Sequence, residues 1–264
     1  MDLNLEGLQA LVVGASQGIG YAIARRLSHE GAIVTLLARD AERLDQARQQ
    51  LTKETGHEVR VACADVTKPE TLEAVMKVAG GSTGCLDILV TNVGGPPVGK
   101  ALTRTDDQWH EAFDQVVMST LWVVRAAHPL LQKSQSPAIA CINSYIYREP
   151  SAERGLSNVP RAGLAALVKT LAAELGDENI RINNVCPGPV WTQRSEQLLA
   201  HAAARAGTTI EEEKRKLIET RLLVKRYGQP DDVADAVAFL VSPRAGFITA
   251  ATIPIDGGMV RSLV

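Results

Sequence analysis

The sequence predicts one α/β domain: a doubly wound, mostly parallel seven-stranded sheet with helices on both faces. Three observations carry that expectation. Short apolar runs alternate with longer amphipathic ones, the apolar runs are continuous, and a glycine-rich turn links the first run to the first amphipathic stretch. Continuous apolar strands belong to sheets buried on both sides. Right-handed crossovers then cover both faces with helices and leave ligand sites at the carboxyl ends of the strands.

In chain order, Leu8–Val13, Ile33–Leu37, Val59–Cys63, Leu86–Val90 and Ala138–Ile142 read as strands. Each is brief, rich in β-branched residues and bounded by Gly, Asp or Asn. Between them Gly18–His29, Ala41–Thr55, Pro69–Val78 and Asp106–Gln132 read as helices. An Ala/Leu-rich helix from about Asn158 to Leu175 follows, then a strand at Ile180–Val185. A charged helical stretch at Arg194–Glu219, a helix at Pro230–Val241 and a last strand at Ala251–Ile255 complete the chain. No repeat or linker divides it, so residues 1–264 are expected to form one domain.

Bulk properties narrow the function. Aromatic residues are only 4% of 264, so the core must be built from Ala, Val, Leu and Ile. A formal charge of -2 gives no electrostatic reason for a nucleic-acid or anionic-membrane partner. The amino terminus has neither the basic region nor the apolar stretch of a signal peptide, and no apolar segment is long enough to span a bilayer. Cys63, Cys85, Cys141 and Cys186 are scattered without metal-ligand spacing. They read as buried small apolar residues at strands in a reducing compartment, and a cytoplasmic location with no metal site is expected.

The first strand ends in Val13-Gly14-Ala15-Ser16-Gln17-Gly18-Ile19-Gly20, and a helix starts at once. Glycines 14, 18 and 20 suit a tight turn, close backbone approach to a phosphate and close helix–strand packing. The helix amino terminus offers N–H groups and a positive dipole end to a diphosphate. The spacing Gly-x-x-x-Gly-x-Gly resembles that of the short-chain dehydrogenase/reductase family, and the resemblance runs through nearly the whole chain. Asp65-Val66 looks like the family's adenine-contacting pair. Asn92-Val93-Gly94 stands where the family has Asn-Ala-Gly. Pro187-Gly188-Pro189-Val190-Trp191-Thr192 matches the segment that lies along the nicotinamide, and Gly228–Ala234 and Ile255–Gly258 match its carboxyl-terminal motifs. The resemblance implies a dinucleotide held by Gly14, Ser16, Gln17, Gly18, Ile19, Gly20, Asp65, Val66, Asn92, Gly94, Pro187, Gly188, Val190 and Thr192.

The end of the second strand bears on which dinucleotide. A carboxylate there would accept from the adenosine ribose and repel a 2′-phosphate; this chain has Ala38 followed by Arg39. A guanidinium suits a phosphate, so NADP(H) is favoured over NAD(H). The alternative is a solvated Arg39 paired with Asp40 or Glu42, in a site that takes either cofactor.

The family's catalytic set is a serine, a tyrosine, a lysine four residues beyond it and an asparagine on the preceding long helix. Ser144 matches the serine. Thirteen residues on, Tyr-x-x-x-Lys is replaced by Ser157-Asn158-Val159-Pro160-Arg161, and the asparagine position carries Val116. Arg161 keeps a positive charge and several donors, able to hold ribose hydroxyls and polarise an oxygen. Ser157 can donate or relay but is too weak an acid to replace a phenol, whose reference pKa is about 10. The catalytic candidates are thus Ser144, Ser157 and Arg161, with Tyr145, Tyr147 or water supplying the proton. Enoyl reductases of the superfamily place a second tyrosine where this chain has Arg154. A divergent branch similar to β-ketoacyl-acyl-carrier-protein reductases resembles this chain more fully. It shares Gly94-Gly95-Pro96-Pro97, Arg148-Glu149-Pro150 and the Ser-x-x-x-Arg of Ser157 and Arg161.

The resemblance implies a substrate lid at 193–226 and assembly as a homodimer or homotetramer. Two functions fit: an NADP(H)-dependent oxidoreductase acting on a small carbonyl/alcohol pair, or a non-catalytic dinucleotide-binding sensor or oligomer partner.

Overall fold

A computed structural model describes residues 1–262 of the chain. Seven strands form one sheet in the order β3-β2-β1-β4-β5-β6-β7, and every pairing is parallel. They are β1 (Gln9–Val13), β2 (Ile33–Ala38), β3 (Val59–Cys63), β4 (Ile88–Asn92), β5 (Ala138–Ile142), β6 (Arg181–Pro187) and β7 (Thr252–Ile255). The order reverses between β1 and β4, so a crevice opens where Val13 and Asn92 end their strands. That switch point is the ligand site of an open α/β sheet.

Two helical layers cover the sheet. On one face α1 (Gly18–His29), α2 (Ala41–Thr55) and α9 (Pro230–Val241) bury Ile23, Leu27, Leu44, Leu51 and Val237 in one core cluster with Val12, Val34 and Ala140 of the sheet. On the other, α3 (Leu72–Gly80), α5 (Ser119–Leu131) and α6 (Gly155–Leu175) bury Val75, Val124, Leu131, Leu164 and Val168. The largest fully buried side chains are leucines and isoleucines, as the shortage of aromatics requires.

Four details depart from expectation. The fourth strand starts two residues late, because Leu86, though fully buried, bonds its N–H to Leu130 of α5 instead of joining the ladder. The Asp106–Gln132 helix is divided into α4 (Asp106–Phe113) and α5 by a wide π turn at Asp114–Met118. The charged stretch after Thr192 is two helices, α7 (Gln193–Ala206) and α8 (Ile210–Arg221), separated at Gly207, which adopts a left-handed φ of 68°. Finally, Cys141 and Cys186 are buried, but Cys63 is exposed and Cys85 half-buried. Cys63 ends the edge strand β3, which is covered incompletely.

No helix among the described residues is long and apolar enough to cross a membrane.

Candidate active site

Every residue expected to hold a dinucleotide or take part in catalysis, except Gly20 and Tyr147, lines one cavity of about 1650 Å³ at the carboxyl edge of the sheet. That exceeds the roughly 300–1,000 Å³ typical of a site for one small ligand, leaving room for a dinucleotide and a substrate together.

Its floor is the turn after β1. Gly14 takes a φ of 64°, and a Cβ there would lie 2.4 Å from the Asn92 carbonyl oxygen. Gly20 sits behind the turn, where a Cβ would come within 2.1 Å of the Gly14 carbonyl. The Asn92 side-chain amide donates to that same carbonyl at 3.3 Å, tying the end of β4 to the turn. Gln17 begins α1 without a side-chain cap, and the first turn carries no carboxylate. Its N–H groups therefore open on the cavity without a competing acceptor, as a bound diphosphate requires. Thr192 approaches from the opposite wall; a Cβ on Gly18 would meet its methyl group at 3.5 Å.

At the end of the cavity beside β2 and β3, Arg39 lines the wall and makes no ion pair among the described residues. Of the two neighbours expected to pair with it, Asp40 caps α2 through the Arg43 N–H and pairs with the Arg43 side chain at 3.3 Å, and Glu42 lies in no ion pair among the described residues. Asp65 accepts from the Thr67 N–H at 3.0 Å and hydroxyl at 2.8 Å. The Thr67 N–H bond, with the hydroxyl and Arg39 adding to it, holds the Asp65 carboxyl below the usual carboxylate range.

At the other end β5 delivers Ser144 in extended conformation, its Oγ accepting the Ile146 N–H at 3.4 Å. With an acceptor site occupied from behind, the hydroxyl proton is free to point at a substrate oxygen. Asn143 fixes the distance between β5 and α6: its N–H donates to Val185 at 2.7 Å and its side-chain amide to the Arg161 carbonyl at 3.0 Å. Ser157 and Arg161, one turn apart on α6, are thereby held beside Ser144.

Arg161, expected to hold ribose hydroxyls and polarise an oxygen, is fixed at the cavity wall by backbone carbonyls. It is 5% exposed, and its terminal nitrogens donate to the carbonyls of Ile142 at 3.0 Å and Val93 at 3.3 Å. No carboxylate lies within 4 Å of it among the described residues, and Nε has no partner. Burial lowers its pKa to about 10, so it stays cationic at neutral pH. The adjacent Cys186 thiol, pushed up to about 12 chiefly by burial, stays neutral and offers no counter-charge. A guanidinium has five N–H groups; the remaining ones supply unneutralised positive charge at the cavity wall. Arg181 shows the contrast. It too is buried, but it donates to the carbonyls of Leu240, Ile248 and Ser242, away from the cavity.

The two neighbouring tyrosines part company. Tyr145 lines the cavity; Tyr147 does not, lying beside Thr252 and Arg148 with its pKa raised mainly by burial. Val116 is fully buried in the π turn, and its carbonyl accepts the Thr120 hydroxyl at 3.1 Å. It offers nothing to a proton-relay water through its side chain.

Several lining residues were not singled out from sequence. Gln115, turned inward by the π turn, donates to Gly94 at 3.0 Å. Tyr227 packs edge-on against Trp191 with ring centroids 5.6 Å apart, and burial, then Tyr145, push its pKa up to about 12. Arg194 reaches from α7 to the Pro96 carbonyl at 2.8 Å. Leu198, Leu199 and Leu217 bring α7 and α8 onto the cavity.

Comparison with known proteins accounts for this arrangement. The enoyl-(acyl carrier protein) reductase family model matches residues 14–260. Human dehydrogenase/reductase SDR family member 4 is 33% identical over 250 residues, covering 94% of this chain and 86% of the relative. The chain belongs to the short-chain dehydrogenase/reductase family of oxidoreductases. L-Sorbose reductase from Gluconobacter frateurii, solved with NADPH and L-sorbose, superposes with a TM-score of 0.94 at 30% identity, covering 100% of both chains. An NADPH-bound short-chain oxidoreductase from Pseudomonas aeruginosa PAO1, described as containing an atypical catalytic center, superposes at 0.88 with 29% identity, covering 97% of this chain and 99% of that one. Membership of the short-chain family explains the all-parallel seven-stranded sheet and the motif order. It leaves the chemistry of Ser157 and Arg161 to be argued from their surroundings.

Proposed function

We propose that the protein is an NADP(H)-dependent oxidoreductase acting on a carbonyl/alcohol pair through Ser144, Tyr145 and Arg161. The supporting observation is the continuity of the cavity from Arg39, past the glycine turn, to Ser144 and the buried Arg161. The NADPH-bound structures of L-sorbose reductase and of the Pseudomonas oxidoreductase with an atypical center lend the same support.

When bound, the nicotinamide supplies or accepts the hydride. The protein's own residues do the rest. Ser144 donates to the substrate oxygen, and the Arg161 cation stabilises the negative charge that grows there. Tyr145 beside them is the phenolic proton source, with Ser157 as a hydrogen-bonding relay. Residues 193–226, containing α7 and α8, act as the lid that keeps water from the reacting atoms. By kinship the protein assembles as a homodimer or homotetramer, which sedimentation would show directly.

Replacing Ser144 by alanine is expected to lower kcat/KM for a ketone about 100-fold, near 2.7 kcal/mol of barrier, with NADPH affinity unchanged. Loss of NADPH absorbance with a ketone panel reads this. A rate indifferent to the substitution overturns the mechanism. Tight NADPH binding without turnover of any ketone, together with copurification with an active relative, overturns the activity in favour of a non-catalytic dinucleotide-binding protein.

Cofactor choice has its own test. Arg39→Ala is expected to raise the NADPH Kd roughly 10- to 100-fold while moving the NADH value less than threefold, since one charge-assisted phosphate contact contributes about 1.5–3 kcal/mol. Equal weakening of both cofactors in calorimetry refutes the 2′-phosphate assignment.

A further inference from the structure

We propose that Arg154 and Arg194 form an anion subsite in the substrate half of the cavity, so that the carbonyl compound this enzyme takes carries a carboxylate or phosphate group. This specificity rests on the oxidoreductase reading above.

Both arginines are pinned to the same short loop after β4. The backbone of Arg154 pairs with Gly99, bracketed by hydrogen bonds from Gly99 N–H to Glu153 at 2.7 Å and from Gly155 N–H to Gly99 at 3.1 Å. Arg194 donates to Pro96 at 2.8 Å, three residues earlier in that loop. Both side chains line the cavity. Two arginines thus line the same cavity, one from α6's leading edge and one from α7, near enough for the charge of Arg154 to be felt at Arg194.

Neither has an ion-pair partner among the described residues. Glu149 and Glu153, the carboxylates nearest in sequence to Arg154, are taken by other partners: Glu149 pairs with Arg221, and Glu153 with Arg205 at 3.1 Å. Glu111, Asp114 and Glu213 also belong to the cavity or its rim, but none lies within 4 Å of Arg154 or Arg194 among the described residues. Glu213 instead accepts the Thr208 hydroxyl at 2.8 Å. Lys216 adds a further cation to the lining. Burial and then the charge of Arg154 hold the Arg194 guanidinium below its usual range. Unpaired like charges in a partly desolvated cleft cost energy that a bound oxyanion would offset, with paired hydrogen bonds besides. Tyr227, which sits close enough to Arg154 to feel its charge, supplies an apolar wall with a polar tip.

The test is calorimetry on the protein saturated with NADP+, which needs no turnover. The probes are levulinate and its methyl ester, and dihydroxyacetone phosphate and dihydroxyacetone. The anionic member of at least one pair is expected to bind at least tenfold more tightly than its neutral counterpart, and the winning pair tells carboxylate from phosphate. That preference should shrink below threefold in Arg154→Gln/Arg194→Gln, while the NADPH Kd of the double variant stays within threefold of the parent. Equal binding of both members of each pair overturns the subsite. So does an anion preference that survives the double substitution. A large rise in the NADPH Kd overturns it as well, by assigning Arg194 to the dinucleotide diphosphate. Turnover of ketones, measured separately, decides the oxidoreductase reading whatever the calorimetry gives.

Discussion

Gly20→Ala is expected to raise the NADPH Kd at least about 100-fold and to cost about 2–3 kcal/mol of folding stability, the upper end of what overpacking inflicts. The added methyl would stand 2.1 Å from the Gly14 carbonyl oxygen and 2.8 Å from the Asn92 amide nitrogen. Neither neighbour can move freely: one is backbone, and the other already donates to that backbone at 3.3 Å. Helix α1 must therefore back away from the turn, carrying with it the N–H groups that would meet the diphosphate. Gly20 does not line the cavity, so its loss acts wholly through this spacing. Gly18→Ala makes the comparison. Its methyl meets only Thr192 at 3.5 Å, but the φ of 60° strains any L side chain, at roughly 1–2 kcal/mol. Urea denaturation and calorimetry should rank Gly20→Ala as more damaging on both counts. NADPH affinity within threefold of the parent in Gly20→Ala would remove the diphosphate from this turn.

That spacing was readable in the letters because glycine has few reasons to recur at 14, 18 and 20 beside a strand end. The sheet was readable for a similar reason: strands buried on both sides must be apolar throughout, and right-handed crossovers put helices on both faces. Strand ends were less legible, since Leu86 is as apolar as the ladder residues yet spends its N–H on α5. The break in the charged helical stretch after Thr192 did leave a signal. Thr209-Ile210-Glu211-Glu212 is a capping box, with Glu212 accepting the Thr209 N–H at 2.8 Å, two residues after Gly207, which ends a helix. Its charge alternation concealed it. Nothing local announces the π turn at Asp114–Met118, nor that Arg194 crosses the cleft to Pro96, because both depend on residues distant in sequence. The catalytic departures were visible as residue identities, but their consequence was not. That Arg161 is buried without a carboxylate, and that Tyr145 faces the cavity while Tyr147 faces β7, are properties of packing.

Arg161→Met is expected to lower kcat about 1000-fold, near 4 kcal/mol of barrier, while changing folding stability by less than about 2 kcal/mol. The two quantities separate because the cation is held at a cost. A folded pKa of about 10 against the ordinary 12.5 means that the fold disfavours the charged form. That penalty is fully present below pH 10 and is relieved only as the pH rises through the folded value, so it weighs on the protein at neutrality. It amounts to roughly 3 kcal/mol at about 1.36 kcal/mol per unit. Removing the charge recovers it and strands the Ile142 and Val93 carbonyls, each at about 1–3 kcal/mol, so the terms roughly cancel. Arg181→Met provides the converse: its three carbonyl acceptors lie outside the cavity, and its loss should reduce stability with kcat unchanged. Arg161→Lys then identifies the charge as the active property. The same desolvation acting on an ammonium would hold it below its reference pKa of about 10.4, already lower than that of a guanidinium. The variant should therefore lose activity on the alkaline side at a lower pH than the parent. Coincident alkaline limbs, or a methionine variant that keeps its kcat, would show that Arg161 is a strut between β4 and β5 and that the growing oxyanion is stabilised elsewhere.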